Sequence, residues 1–250
     1  MLGAIIGDIA GSRFEFSNTN DYDFELFHPE CEFTDDTICT VAIADAILNR
    51  KPYKDALVEW CKRYPHPMGG YGGRFAGWIY DPVPYNSWGN GAAMRVSPVG
   101  WLFDREEGVK VESLKTAEVS HNHPEGLKGA QSVALAIFYL RTLKSKKPIE
   151  KMLFELYSKE ELLCMPQKNE WCDNCQGCVP LSFNLFLSSE SFEDAIRKAV
   201  SYGGDSDTIG AIVGSLAEAY YGIPSDFKEQ ALTYLPDDMK RVIQKFYATI

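Results

Sequence analysis

Two short acidic clusters are the chemically loaded parts of this sequence. The first is Thr34-Asp35-Asp36-Thr37 and the second is Asp205-Ser206-Asp207-Thr208. Each offers two carboxylates beside hydroxyls, an all-oxygen donor set that suits a hard divalent cation such as Mg²⁺ or Mn²⁺. Each is also what a helix start requires, because Asp, Ser and Thr cap N-termini and acids complement the helix dipole. If the two clusters met, four carboxylates would repel one another unless cations lay among them. They are about 170 residues apart, and spacing alone does not say whether they meet.

Other candidates are less specific. Gly69-Gly70-Tyr71-Gly72-Gly73 reads as a turn-rich loop, and Gly89-Asn90-Gly91 as a small-residue loop. Trp88 has a ring that could stack on a ligand, although a tryptophan serves a core equally well. His121 and His123 are two apart, whereas two ligands on one helix face need a spacing of three or four. Cys172, Cys175 and Cys178 form a Cys-x2-Cys-x2-Cys run. A fourth iron–sulfur ligand is missing, since Ser182 stands where one is needed. A zinc site would have to recruit Cys164 or a distant residue, so free thiols are the simpler reading.

The elements that must position these residues read as helices. Apolar residues recur at helical spacing over 36–50, opened by Thr34 and Asp35 and followed by Pro52. Further helices are expected over 53–64, 124–144, 191–201, 206–221 and 237–248. No sustained two-residue alternation marks a strand. The expectation is one all-α domain over 1–250, a bundle of packed helices with functional loops between them.

Composition narrows the class. The 250 residues carry 35 Asp plus Glu against 25 Lys plus Arg, a formal net charge of −10. That argues against a non-specific nucleic-acid binder, which needs a basic face. A small anionic ligand is compatible only if positive charge is supplied locally. The opening Met1–Asp8 has no basic region, and its apolar run ends at Asp8, so it does not read as an export signal. The strongest apolar stretch, 133–140, is short of the roughly 20 residues that span a bilayer. Seven cysteines without an export signal suggest a reducing, cytoplasmic setting. No exposed heptad or apolar stripe calls for a partner, and a monomer is expected.

Five segments in order make the sequence resemble the ADP-ribosylglycohydrolase family. They are Gly7-Asp8 through Glu15-Phe16, Phe33-Thr34-Asp35-Asp36-Thr37, Ser87-Trp88-Gly89-Asn90-Gly91-Ala92-Ala93-Met94-Arg95, Ser120-His121-Asn122-His123-Pro124-Glu125-Gly126, and Gly203-Gly204-Asp205-Ser206-Asp207-Thr208. The resemblance runs almost end to end. It implies an all-helical fold of the orthogonal-bundle type and a centre of two divalent cations, Mg²⁺ or Mn²⁺. The ligands it implies are Thr34, Asp35 and Asp36 from one side and Asp205, Asp207 and Thr208 from the other. It makes Glu15 the leading acid/base or substrate-orienting group and Asp8 a residue that orients ligands or loop backbone. It lays Gly70, Tyr71, Gly72 and Gly73 against a diphosphate, with Gly72-Gly73-Arg74 departing from the smaller residues of some relatives. It places Ser87, Trp88, Gly89 and Asn90 along an ADP-ribose and turns His121 to its phosphate or ribose.

The activity so implied is hydrolysis at C1″ of ADP-ribose attached to a target, arginine favoured among protein side chains. A water activated at the metal centre, by Glu15 or by a cluster carboxylate (Asp35, Asp36, Asp207) would attack through an oxocarbenium-like transition state. Two rivals stand beside it. Paired carboxylates with two metals equally serve a nucleotide phosphohydrolase, and the same residues could bind ADP-ribose without turnover.

Overall fold

Apolar residues recur with a helical period through most of the chain, punctuated by Gly, Pro and Asn, and helices are what such a pattern forms. The computed structural model describes residues 1–163 and 165–250. Among the described residues every regular element is an α-helix. In order these are α1 (Leu2–Ser12), α2 (Asp35–Asn49), α3 (Tyr53–Arg63), α4 (Gly73–Trp78), α5 (Gly91–Met94), α6 (Ser97–Leu102), α7 (Glu106–Glu118) and α8 (Pro124–Leu143). They continue as α9 (Lys147–Leu156), α10 (Lys159–Leu163), α11 (Cys175–Leu187), α12 (Phe192–Tyr202), α13 (Ser206–Tyr221), α14 (Ser225–Thr233) and α15 (Asp237–Tyr247). The fold is all-α, as the sequence suggests.

Where caps are explicit, the expected boundaries and the observed ones nearly coincide. Helix α13 has the expected bounds. Helix α2 stops at Asn49 because Arg50 turns into the left-handed region with φ 54°. Lys144 ends α8 in the same way with φ 49°. Ser191 caps α12, its hydroxyl accepting from the Asp194 amide at 3.0 Å.

Several helices carry no such signal. Helix α11 contains Pro180, which reads as a breaker. The helix forms across it all the same, started by the Asn174 side chain, which accepts from the Gly177 amide at 3.0 Å. Helix α1 is buried on every side and so shows no amphipathic face.

Helices α1 and α13 form the axis of the molecule. Gly3, Gly7 and Gly11 recur every four residues on the face of α1 that meets Ser206, Gly210 and Gly214 of α13. A Cβ on Gly7 would overlap the Gly210 carbonyl, and one on Gly11 would lie 2.5 Å from the Ser206 carbonyl oxygen. The two backbones are in contact, which only glycine permits at these positions. Helix α12 packs on the outside of α13, α2 lies between α1 and α3, and α8 packs against α6, α7 and α13. The α1–α13 contact therefore sets where the start of α13 sits relative to Asp8 and the loop after α1.

Gly7→Ala should overpack this seam and destabilise the protein by about 1–3 kcal/mol or more. Gly77→Ala, in a helix with open space around the position, should be neutral or stabilising by up to about 1 kcal/mol. Urea denaturation midpoints of the two variants check this, and equal losses would contradict it.

Candidate active site

The first turn of α2 is fastened by one carboxylate from α1. Asp8, fully buried, accepts from the Thr34 amide at 3.0 Å, the Thr34 hydroxyl at 2.7 Å, the Thr37 amide at 3.1 Å and the Thr37 hydroxyl. Thr34 is the N-cap, its Oγ1 accepting from the Asp36 amide at 3.2 Å. Asp8 thus satisfies donors that a helix start leaves open. The start of α13 is fastened differently. Gly203 and Gly204 take φ of 80° and 84°, a region that favours glycine. Asn18, in the loop after α1, accepts from the Gly204 amide at 2.9 Å and donates to the Gly204 carbonyl at 2.9 Å and the Phe14 carbonyl at 2.7 Å.

The two acidic clusters meet. Thr208 Oγ1 donates to Asp36 Oδ2 at 3.1 Å. Oxygens of Glu15, Asp205 and Asp207 all lie within 4.8 Å of one another. Asp36, Asp205, Asp207 and Thr208 are buried, and Asp35 is half-buried. Asn90 Nδ2 donates to Asp205 Oδ2 at 2.6 Å. Asp36 Oδ1 and Asp207 Oδ1 are buried with no hydrogen-bond partner.

This crowding shows in the titration of the group. Burial, then the charges of Asp207 and Asp8, pushes Glu15 up to about 8. Burial pushes Asp8 and Asp205 up to about 6. Burial and then neighbouring carboxylates hold Asp35, Asp36 and Asp207 well above the usual carboxylate range. Orphaned, buried, all-oxygen donors of one sign suit hard divalent cations. Asp35, Asp36, Asp205, Asp207 and Thr208 are the residues that could hold them, with Glu15 at their edge. Thr34 is bound to Asp8 and Asp36 and does not line the cleft.

The carboxylates form the floor of a cleft of about 390 Å³, within the range that small ligands occupy. One wall is the glycine loop. Thr34 bridges to Met68 and so brings this loop over the cluster. Gly69 has φ 75°, and a Cβ there would strike the Glu15 carboxylate. Gly70, Gly72 and Gly73 have open space where a side chain would stand, with Gly73 already the first residue of α4. Tyr71 is anchored from the same loop, its hydroxyl donating to the Tyr64 carbonyl at 2.7 Å.

The opposite wall is the segment from Tyr85 to Arg95. Ser87 Oγ accepts from the Gly89 amide at 3.1 Å, and the Asn90 amide donates to the Asp173 carbonyl at 2.8 Å. His121 stands behind Gly89 and Gly91. Burial, then the Arg95 charge, holds its pKa well below the usual histidine value, so the ring is neutral. Arg95, fully buried, donates to Ser120 Oγ at 2.9 Å, and Ser120 Oγ lies 2.8 Å from His121 Nδ1. Ser120 Oγ accepts from arginine and has Nδ1 as the acceptor within reach of its own proton, so the tautomer that pairs both groups carries the His121 proton on Nε2. Nε2 lies on the side of Gly89 and Gly91, where those glycines leave room for a ligand.

Trp88, expected along the ligand, lies elsewhere, as does His123. The Trp88 indole is outside the cleft lining, edge-on to His123 with centroids 5.3 Å apart. His123 caps α8, its Nδ1 accepting from the Glu125 amide at 3.2 Å. The cysteine run also separates: Cys175 and Cys178 are buried in the first turn of α11, and Cys172 is half-buried in the loop before it. Cys175 Sγ lies 3.2 Å from the Gly89 carbonyl and Cys178 Sγ 3.7 Å from Asn90 Nδ2. Cys164 lies outside the described residues. The lining also includes Phe16, Arg74, Phe75, Tyr85, Met94, Arg95, Trp171 and Asp173, to which sequence reasoning gave no role. Phe16, Met94 and Arg95 sit inside recognisable segments, whereas Trp171 and Asp173 carry no signal of their own.

Comparison with known proteins bears on the family and the fold. A family model described as ADP-ribosylglycohydrolase matches residues 1–250. The ADP-ribosylarginine hydrolase Tri1 of Pseudomonas putida is 26% identical over 267 residues, covering 89% of this chain and 70% of that protein. The ADP-ribosyl-[dinitrogen reductase] glycohydrolase of Rhodospirillum rubrum is 24% identical over 273 residues, covering 98% and 91%. Human ADP-ribosylhydrolase ARH3 is 22% identical over 338 residues, covering 98% and 93%. A solved ADP-ribosylglycohydrolase-related protein complex superposes with a TM-score of 0.77 at 22% identity, over 99% of this chain and 95% of that one. Among the described residues no helix is long and apolar enough to cross a membrane.

The raised carboxylates make a pH prediction. Their folded values exceed ordinary unfolded ones, so the stability they contribute is full below about pH 4 and is lost as pH rises through about 6 and then 8. A cation bound among them opposes that loss. The rise in melting midpoint produced by Mg²⁺ or Mn²⁺ should therefore grow between about pH 5 and about pH 8. Thermal scans with chelator and with cation check this, and a rise independent of pH would contradict it.

Proposed function

The chain belongs to the ADP-ribosylglycohydrolase family, and on that premise we propose that it hydrolyses the C1″ glycosidic bond of ADP-ribose conjugates with divalent cations, releasing ADP-ribose. The observation that carries this is the meeting of the two acidic clusters beneath Glu15, in a cleft whose other wall offers uncharged donors. We assign the cation site to Asp35, Asp36, Asp205, Asp207 and Thr208, with Mg²⁺ or Mn²⁺ as the ion. Thr34, which the resemblance adds to the ligands, is engaged by Asp8 and Asp36 and positions that set by capping the turn that carries Asp35 and Asp36. When bound, the cations supply Lewis-acid polarisation at the ribose hydroxyls and offset part of the charge of the carboxylates.

The chain's own residues do the rest. The open backbone of Gly70, Gly72 and Gly73 lets a diphosphate approach closely. His121, neutral with its proton on Nε2, donates a hydrogen bond from the side of Gly89 and Gly91, where Ser87 and Asn90 align the same ligand. Trp88, exposed between Ser87 and Gly89 in the chain, keeps the proposed role of a ring on which the ligand can stack. Asp35, Asp36 and Asp207 place negative potential where C1″ becomes oxocarbenium-like. Glu15, held against Gly69, orients the attacking water and takes its proton. The C1″–N bond of an arginine conjugate breaks as the C1″–O bond forms, and the proton from water ends on the departing guanidino nitrogen.

Arginine is the proposed acceptor. Two similar proteins support it through their names, an ADP-ribosylarginine hydrolase and an ADP-ribosyl-[dinitrogen reductase] glycohydrolase. A monomer in a reducing cytoplasm remains the working expectation for the chain's state.

Glu15→Gln should lower kcat by about 10²–10⁴-fold, as removal of a proton-transfer group does, and leave cation binding in place. Asp207→Ala and Asp35→Ala should lose both turnover and cation binding. Free ADP-ribose as product supports the reading, whereas AMP with ribose phosphate would identify a phosphohydrolase. Tight ADP-ribose binding without turnover under both cations would identify a binding protein.

A further inference from the structure

Two residues that line the cleft have no part in holding ADP-ribose as described above. Phe16 follows Glu15, and Trp171 stands two residues before Asp173. Their rings stack, with centroids 5.5 Å apart and planes 19° from parallel. Both are nevertheless open to water, Phe16 at 73% and Trp171 at 48% exposure. A large apolar pair left bare on the rim of a polar cleft marks a contact site. The pair is also held in place. Asn18 ties the segment after Phe16 to Gly204, and the Asp173 carbonyl accepts from the Asn90 amide at 2.8 Å.

The surroundings of the pair are acidic. Glu15 adjoins Phe16, with Asp205 and Asp207 beyond it. Trp171 is also a wall of a neighbouring groove of about 320 Å³, whose described lining includes Glu170 and Glu161, the latter paired with Lys128 at 2.6 Å, while Asp173, two residues after Trp171, lines the main cleft. The two cations that line the main cleft are committed elsewhere. Arg74 donates to the Tyr85 carbonyl at 2.7 Å, and Arg95 donates to the Thr116 carbonyl at 2.8 Å and to Ser120. Aromatic faces carry negative potential, so ring faces and carboxylates attract the same kind of group. That group is a flat cation, and guanidinium is the flat cation of proteins.

We propose that the outer face of the Phe16–Trp171 pair is the acceptor subsite, where it stacks on the guanidinium of an ADP-ribosylated arginine. This rests on the glycohydrolase reading above and extends it to the leaving group. The pair selects for arginine, because a serine-linked conjugate presents neither the charge nor the plane. The guanidinium is charged before the bond breaks, gives up that charge to C1″ as the C–N bond opens, and regains it only when the proton from water reaches the departing nitrogen. The contact therefore strengthens ground-state binding, and its loss is read in KM rather than kcat.

The test compares Phe16→Ala, Trp171→Ala, their combination and Phe16→Leu, with an arginine-linked and a serine-linked ADP-ribosyl peptide of the same flanking sequence. Calorimetry with free ADP-ribose runs in parallel. The double variant should lose roughly tenfold in kcat/KM on the arginine-linked peptide, through KM. Phe16→Leu, which keeps bulk without a ring, should lose part of it. Turnover of the serine-linked peptide, ADP-ribose affinity and the melting midpoint should stay unchanged. Equal losses on both peptides, or no loss on the arginine-linked one, overturn the proposal. A wild-type enzyme that cleaves only the serine-linked peptide overturns it while the glycohydrolase reading stands. A wild-type enzyme that neither cleaves a conjugate nor binds ADP-ribose overturns both.

Discussion

Mutual repulsion among buried carboxylates is the constraint that the rest of this structure answers. At about 5 Å and an effective dielectric near 20, each ionised pair is unfavourable by about 3 kcal/mol. Asp36, Asp205 and Asp207 are buried together with Glu15 and Asp35 beside them. The fold offsets part of this with neutral donors. Asn90 reaches Asp205, Thr208 reaches Asp36, and two helix N-termini point their positive ends at the cluster. The buried oxygens of Asp36 and Asp207 remain without partners. A scaffold that holds unsatisfied charges in place has its stability spent on a site rather than on itself.

The rigidity this needs comes from the α1–α13 seam. Backbone contact through Gly7 and Gly210 brings the two helices as close as backbones allow. Asp8 rides on α1 and grips the start of α2, while Asn18, just after α1, grips the loop that starts α13. One buried helix thus positions both acidic clusters. Packing, local backbone geometry and electrostatics are in this way one arrangement seen at three scales.

That arrangement explains what was legible in the sequence. The clusters were readable because Thr34-Asp35-Asp36 and Asp205-Ser206-Asp207 combine capping residues with more carboxylates than capping needs. Their meeting was not readable from spacing, because it depends on a seam formed by helix α1, whose apolar surface is uniform and gives no face to detect. Resemblance to a family supplied that step. Pro180 concealed α11, since the local rule against proline is weaker than the packing of Cys178, Phe183 and Phe186 around it. Phe16 and Trp171 were silent for a different reason. A lone exposed aromatic is ordinary, and these two become informative only when the fold brings residues about 155 apart into a stack.

The division of the cleft follows from the same electrostatics. An acidic floor of this kind would capture any free lysine or arginine nearby, and the resulting ion pairs would exclude divalent cations from the carboxylates. The wall facing the floor therefore works best with donors that carry no charge. Backbone at Gly70–Gly73, Ser87, Asn90 and a neutral His121 meet that need. Arg95 lines the cleft, but its guanidinium is engaged by the Thr116 carbonyl and Ser120, from where its charge adds to the burial that keeps His121 neutral. The net charge of −10 is then compatible with an anionic ligand. Positive charge enters with the cations at the distal ribose of the proposed substrate and with the guanidinium on its C1″, while along the diphosphate the protein contributes hydrogen bonds and shape.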